Sequence, residues 1–86
     1  MDPIQLKILE KLYRLEIIGG RHTAIENLAK GFPKDERGEV EKEAKKLIRE
    51  GWLMPKPTSY GMHVSLNPRR VQEFENMLRS SNDPPH

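Results

Sequence analysis

From Pro3 to Ile18 the apolar residues are Ile4, Leu6, Ile8, Leu9, Leu12, Tyr13, Leu15, Ile17 and Ile18, and among them Ile8, Leu12 and Leu15, with their neighbours Leu9 and Tyr13, follow the spacing of one helix face. Asp2 ahead of Pro3 supplies a cap and an N1 proline, and Gly19-Gly20 supplies a stop, so a first helix is predicted over about residues 3–17. In "RHTAIENLAKGF", Thr23 and Glu26 have the spacing of a capping box, and Ala24, Ile25, Leu28 and Ala29 make a short apolar face. Gly31 ends that face, which predicts a second helix over about 24–30 with Arg21 and His22 extended before it. After the turn Phe32-Pro33, Asp35 is the expected cap of a third helix, about 36–50. Val40, Ala44, Leu47 and Ile48 are its narrow apolar stripe, and Gly51 closes it.

The period then changes. "GWLMPKPTSYGMHVSLNP" reads as two strands, about 52–56 and 62–66, around a loop centred on Thr58-Ser59-Tyr60-Gly61. Pro55 and Pro57 confine the first strand to a sheet edge. Trp52, beside Leu53, is expected in the core. Asn67-Pro68 starts a last helix, about 68–79, whose apolar face is Val71, Phe74, Met77 and Leu78. The segment 80–86 carries two prolines and no apolar residue, and is expected to be a flexible tail.

The chain has 86 residues, enough for one domain, here 1–79, which buries only ~60–65% of its unfolded surface. It has no cysteine, so neither disulfides nor thiolate metal sites are available. No apolar run is long enough to span a bilayer, and Met-Asp-Pro-Ile-Gln lacks the regions of a signal peptide, so the expected location is cytoplasmic. Charged residues make up 33% of the chain and are mixed in sign, as on a salt-bridged surface; with the missing cysteines this hints at a thermophile. Net charge is only +2, so any contact with nucleic acid must use local positive charge.

Catalytic patterns are not found. There is no glycine-rich phosphate loop or nucleophile elbow, and Ser59 and Ser65 have no evident histidine–acid partner. His22, His63 and His86 are not spaced as ligands on one helix, so no metal site and no cofactor are expected. The chain is read as a non-enzyme.

The order of three helices, a hairpin and a helix is mostly α with a small β-hairpin. It resembles a winged helix-turn-helix domain of the kind found in small archaeal and bacterial transcription regulators. "TAIENLAK" looks like the first helix of the helix-turn-helix, "VEKEAKKLIREGWL" like the recognition helix and its exit, and "KPTSYGMHVSLNP" like the wing leading to a final helix. The resemblance covers roughly residues 4–79. It implies binding to double-stranded DNA with the third helix in the major groove. Arg37, Gly38, Glu41, Lys42 and Lys45 would then face the groove, since Val40, Ala44 and Leu47 face inward. Lys56, Thr58, Ser59 and Tyr60 would contact DNA from the wing. Arg21, His22 and Thr23, with Arg69 and Arg70, would hold its backbone.

The charges of the third helix oppose this in part. Asp35, Glu36, Glu39, Glu41, Glu43 and Glu50 outnumber Arg37, Lys42, Lys45, Lys46 and Arg49, six against five, for a net −1. Glu41 with Lys45, Glu39 with Lys42 and Glu43 with Lys46 are ordinary helix ion pairs, and a merely solvated helix is the competing reading. Gly51 to Gln72, in contrast, contains no acid, so the wing tip is the surer expected contact. Tyr60 could instead lie back over the hairpin, and Thr23 has its capping duty. The other functional class is a winged helix used as a protein-interaction module. Val71, Phe74 and Leu78 would then be its partner face, whether for another protein or for a second copy in a homodimer.

Overall fold

A computed structural model describes residues 1–82; residues 83–86 lie outside the described chain. Helix α1 spans Pro3–Arg14, β1 Thr23–Ala24, α2 Ile25–Lys30, α3 Arg37–Arg49, β2 Leu53–Thr58, β3 Gly61–Leu66 and α4 Val71–Asn82. Short 3-10 turns at Lys34–Glu36 and Pro68–Arg70 lead into α3 and α4. The expected helix and hairpin order is present with one addition. The short β1 pairs with β3, giving a three-stranded antiparallel sheet in the order β1-β3-β2.

The start of α1 is as the sequence suggests, with the Asp2 carboxylate accepting from the Ile4 N–H at 2.8 Å. Its end is three residues earlier than expected. Glu16 takes a left-handed conformation (φ 57°), and the Ile17 and Glu16 N–H groups donate back to Leu12 and Tyr13. This is a Schellman closure with glutamate where glycine is usual. The turn sends Ile17–Gly19 alongside β3, where the Leu66 N–H donates to Ile17 at 2.9 Å and the Gly19 N–H to Leu66 at 3.1 Å. Ile17 and Ile18 are thus apolar because they pack at the sheet, not because the helix continues.

Two other boundary signals fail for local reasons. The capping box is not formed: Thr23 is drawn into β1 opposite Val64, and Ala24 becomes the N-cap of α2. Asp35 lies inside the 3-10 turn, and α3 begins after Glu36 without a side-chain cap. Gly31 ends α2 in a right-handed conformation (φ −78°), so it is no left-handed stop. Its lack of a side chain instead leaves room for the Lys11 ammonium, which sits 5.9 Å over the Phe32 ring. Gly51 does behave as expected at the end of α3, with φ 83° and the Trp52 N–H donating to Leu47 at 3.0 Å.

The core takes Ile8, Leu9 and Leu12 from α1, Ile25 and Leu28 from α2, and Val40, Ala44 and Leu47 from α3. Leu53, Val64 and Leu66 of the sheet close it, with Trp52 buried as expected. Pro55 and Pro57 sit on β2, the edge strand. Asn67 caps the next turn, accepting from the Arg69 N–H at 3.0 Å while its own amide donates to the Gly51 carbonyl at 2.8 Å.

Helix α4 packs on α1. Phe74 is fully buried and meets the Tyr13 ring edge-on, with centroids 5.5 Å apart. The Tyr13 hydroxyl donates to the Glu75 carboxylate at 2.5 Å. That bond, helped by partial desolvation, raises the Tyr13 hydroxyl above its ordinary pKa of 10.0. The helix runs to Asn82, so it takes in Ser80, where a tail was expected to begin.

Candidate nucleic-acid interface

A groove opens between α2, α3 and the tip of the hairpin. Its floor and walls are Ala24, Ile25, Glu26, Ala29 and Lys30, then Arg37, Gly38, Glu41 and Lys45, then Tyr60, Gly61 and Met62. Five of the residues singled out in the sequence therefore meet in one place: Arg37, Gly38, Glu41, Lys45 and Tyr60. The α3 residues come together because they occupy the ridge opposite Val40, Ala44 and Leu47, which are fully buried. Tyr60 reaches the groove as one of two loop residues, Ser59 and Tyr60, between paired Thr58 and Gly61. Its side chain is 94% exposed, so it does not lie back on the hairpin.

The electrostatics of the groove differ from those of the helix as a whole. Its charged lining is Lys30, Arg37 and Lys45 against Glu26 and Glu41, three cations to two anions. Asp35, Glu36, Glu39 and Glu50 are not part of the lining. Glu43 faces the interior, only 4% exposed, with one oxygen 3.3 Å from the Lys46 ammonium and the other without a partner. Glu41 is 3.8 Å from Lys45, an exposed pair that a stronger anion can displace. Among the described residues the expected Glu39–Lys42 pair is not formed.

Arg37 is half-engaged, its Nε donating to the Phe32 carbonyl at 3.3 Å while it lines the groove. Lys42 is exposed but lies outside the lining. Thr58 is spent on the turn, donating to the Gly61 carbonyl at 2.8 Å and accepting from the Tyr60 N–H. Ser59 is exposed at the tip. Lys56 stands opposite His63. By strand alternation it is on the face away from Met62 and Val64, and so away from the groove.

The proposed backbone contacts divide in the same way. Arg21 and His22 are exposed before β1, with Thr23 half-buried within it. Arg69 is exposed. Arg70 is committed to the fold: its guanidinium stacks 3.9 Å from the centre of the Trp52 ring, donates to the Glu50 carbonyl at 3.1 Å and pairs with Glu73 at 2.8 Å. The expected partner face of α4 is likewise reduced. Phe74 is buried within the chain, and Val71 and Leu78 are partly covered against the same core.

Lys30 and Met62 are among the groove residues that the sequence reading did not single out. A signal existed for Met62, which shares its strand face with Val64 and Leu66 one pleat beyond the core, and it is 43% exposed. The structure also brings His22 and His63 together, with Nδ1 atoms 2.9 Å apart. His86 lies outside the described residues. No group of three metal-ligating side chains exists among the described residues, and none of their helices is long and apolar enough to cross a membrane.

The fold is similar to that of a crystal structure described as a possible transcriptional regulator for arsenical resistance. The two superpose with a TM-score of 0.67 over 96% of this chain and 79% of the other, at 17% sequence identity. The architecture is therefore a winged-helix fold, mostly helical with a small antiparallel sheet. No family model matches the chain, and no curated protein matches it.

Proposed function

We propose that this chain binds double-stranded DNA through the groove between α2, α3 and the wing, and acts as a small transcription regulator in the cytoplasm. The observation that carries the reading is the gathering of Arg37, Lys45, Lys30 and Tyr60 in one exposed groove while Glu43 is turned inward. Helix α3 presents its cations and the unhindered backbone of Gly38 to a duplex, whose major groove is about as wide as a helix. Lys45 and Lys30 pair with phosphates and set position. Arg37 reads a guanine edge, a contact worth ~1–3 kcal/mol of discrimination. Tyr60 lies against the sugar-phosphate edge from the wing. The likeness to a regulator fold supports the same reading.

The test is a fluorescence titration of mixed-sequence duplexes at two salt concentrations, with Lys45→Glu and Arg37→Ala beside the parent. Affinity should fall with salt by a slope of about −0.9 per phosphate neutralised, and Lys45→Glu should weaken all duplexes alike. Arg37→Ala should flatten the preference among them. Absence of binding at low salt, or a Lys45→Glu protein that binds like the parent, contradicts the proposal.

A further inference from the structure

We propose that His22 and His63 form a two-imidazole site for a divalent transition-metal ion of the kind imidazole binds, such as nickel, copper or zinc. The residues are 41 positions apart, yet their Nδ1 atoms stand 2.9 Å from one another and their rings cross at 68°. His63 is held by the β1–β3 ladder, in which it pairs with Ala24 while Thr23 pairs with Val64. His22 is exposed and lies one residue before β1, so the ladder brings its backbone beside β3.

A hydrogen bond between two Nδ1 atoms needs one N–H and one lone pair. Moving the donor ring's proton to its Nε2 leaves a lone pair on each Nδ1, and rotation of the rings turns the two toward one ion. With metal–nitrogen bonds of about 2.0–2.1 Å, two imidazoles in cis positions at a right angle have nitrogens about 2.9 Å apart. A tetrahedral ion needs them at about 3.3 Å. The 2.9 Å seen is an ordinary hydrogen-bond spacing from which small ring rotations reach either geometry, and imidazole suits nickel, copper and zinc alike.

Among the described residues no third histidine or carboxylate joins the pair, so water fills the other positions and the ion exchanges readily. Lys56, opposite His63 on the neighbouring strand, and Arg21, next to His22, oppose a cation and limit its affinity. The pair lies on the sheet face that also carries Lys56, away from Met62. A bound ion would fasten the segment before β1 to β3 of the wing. The inference stands on the histidine geometry alone and does not need DNA binding.

Calorimetric titration of the whole chain with nickel chloride tests it, with magnesium chloride as the hard-cation control and thermal melts alongside. One nickel ion per chain, a raised melting temperature and no magnesium effect are expected. The nickel effect should be lost in His22→Gln and in His63→Gln, and Lys56→Gln should bind nickel more tightly than the parent. The Lys56 variant keeps both ligands, so it still decides the matter if a histidine variant unfolds. Nickel binding that survives in both histidine variants, no nickel binding by the parent, or a Lys56→Gln protein no tighter than the parent would overturn the site.

Discussion

The face where α4 meets α1 and the groove beside α3 each contain a tyrosine, and the two tyrosines are used in opposite ways. Tyr13 packs edge-on against Phe74 and donates to Glu75. Tyr60 stands 94% exposed at the hairpin tip. The arginines repeat the contrast. Arg70 is fixed by Trp52, Glu50 and Glu73, whereas Arg37 keeps part of its donor set for the groove. One region spends its side chains on the fold and holds the domain together, although the Arg70 Nε is left without a partner. The other keeps Tyr60 exposed and leaves Arg37 and Lys45 only lightly engaged, as a surface meant for contact does.

The largest expected effect separates the two regions by stability. Phe74→Ala should cost about 3–5 kcal/mol in urea unfolding, because it empties a fully buried site. Tyr60→Ala should stay within about 0.5 kcal/mol of the parent. A costly Tyr60→Ala would break the contrast. Next, Arg70→Ala should lose about 1–2 kcal/mol through its stacking on Trp52 and the freed Glu50 carbonyl. Arg69→Ala, one residue away and exposed, should leave the midpoint nearly unchanged.

The Tyr13–Glu75 bond makes a pH prediction. The folded state raises the phenol pKa, so the stability it adds is fully present below the ordinary value of 10.0 and is lost as pH rises through the folded value. Unfolding midpoints of parent and Tyr13→Phe should differ at pH 8 and converge at strongly alkaline pH. A constant gap would assign the difference to packing alone. A smaller gain is expected from Glu16→Gly, which relieves a left-handed glutamate and should stabilise the domain by up to about 1 kcal/mol. Smallest of all, Glu41→Gln should tighten duplex binding slightly by freeing Lys45, with no change in unfolding midpoint.

The two helix ends show how far the sequence could be read. Gly51 closes α3 with the same backbone hydrogen bonds that Glu16 makes at the end of α1. Only the glycine announces itself; nothing in a run of apolar residues reveals a left-handed glutamate. Thr23 and Glu26 have the spacing of a capping box, but pairing of Thr23 with Val64 depends on a strand some forty residues away. The fold was legible because helix and strand periods change cleanly along the chain. The groove was legible in its α3 ridge and in Tyr60. Strand alternation, applied across the hairpin, puts Lys56 on the face away from the groove, a placement a residue list does not show. A count of the acids in α3 likewise does not say that Glu43 is buried.

The most direct test is to follow backbone amide resonances while a short DNA duplex is added at low salt. The perturbed amides should cluster in Ala24–Lys30, Arg37–Lys45 and Ser59–Met62, with Tyr13, Phe74 and Glu75 unmoved. Shifts centred on α1 and α4, or a spectrum that the duplex leaves unchanged, would contradict a nucleic-acid role for the groove.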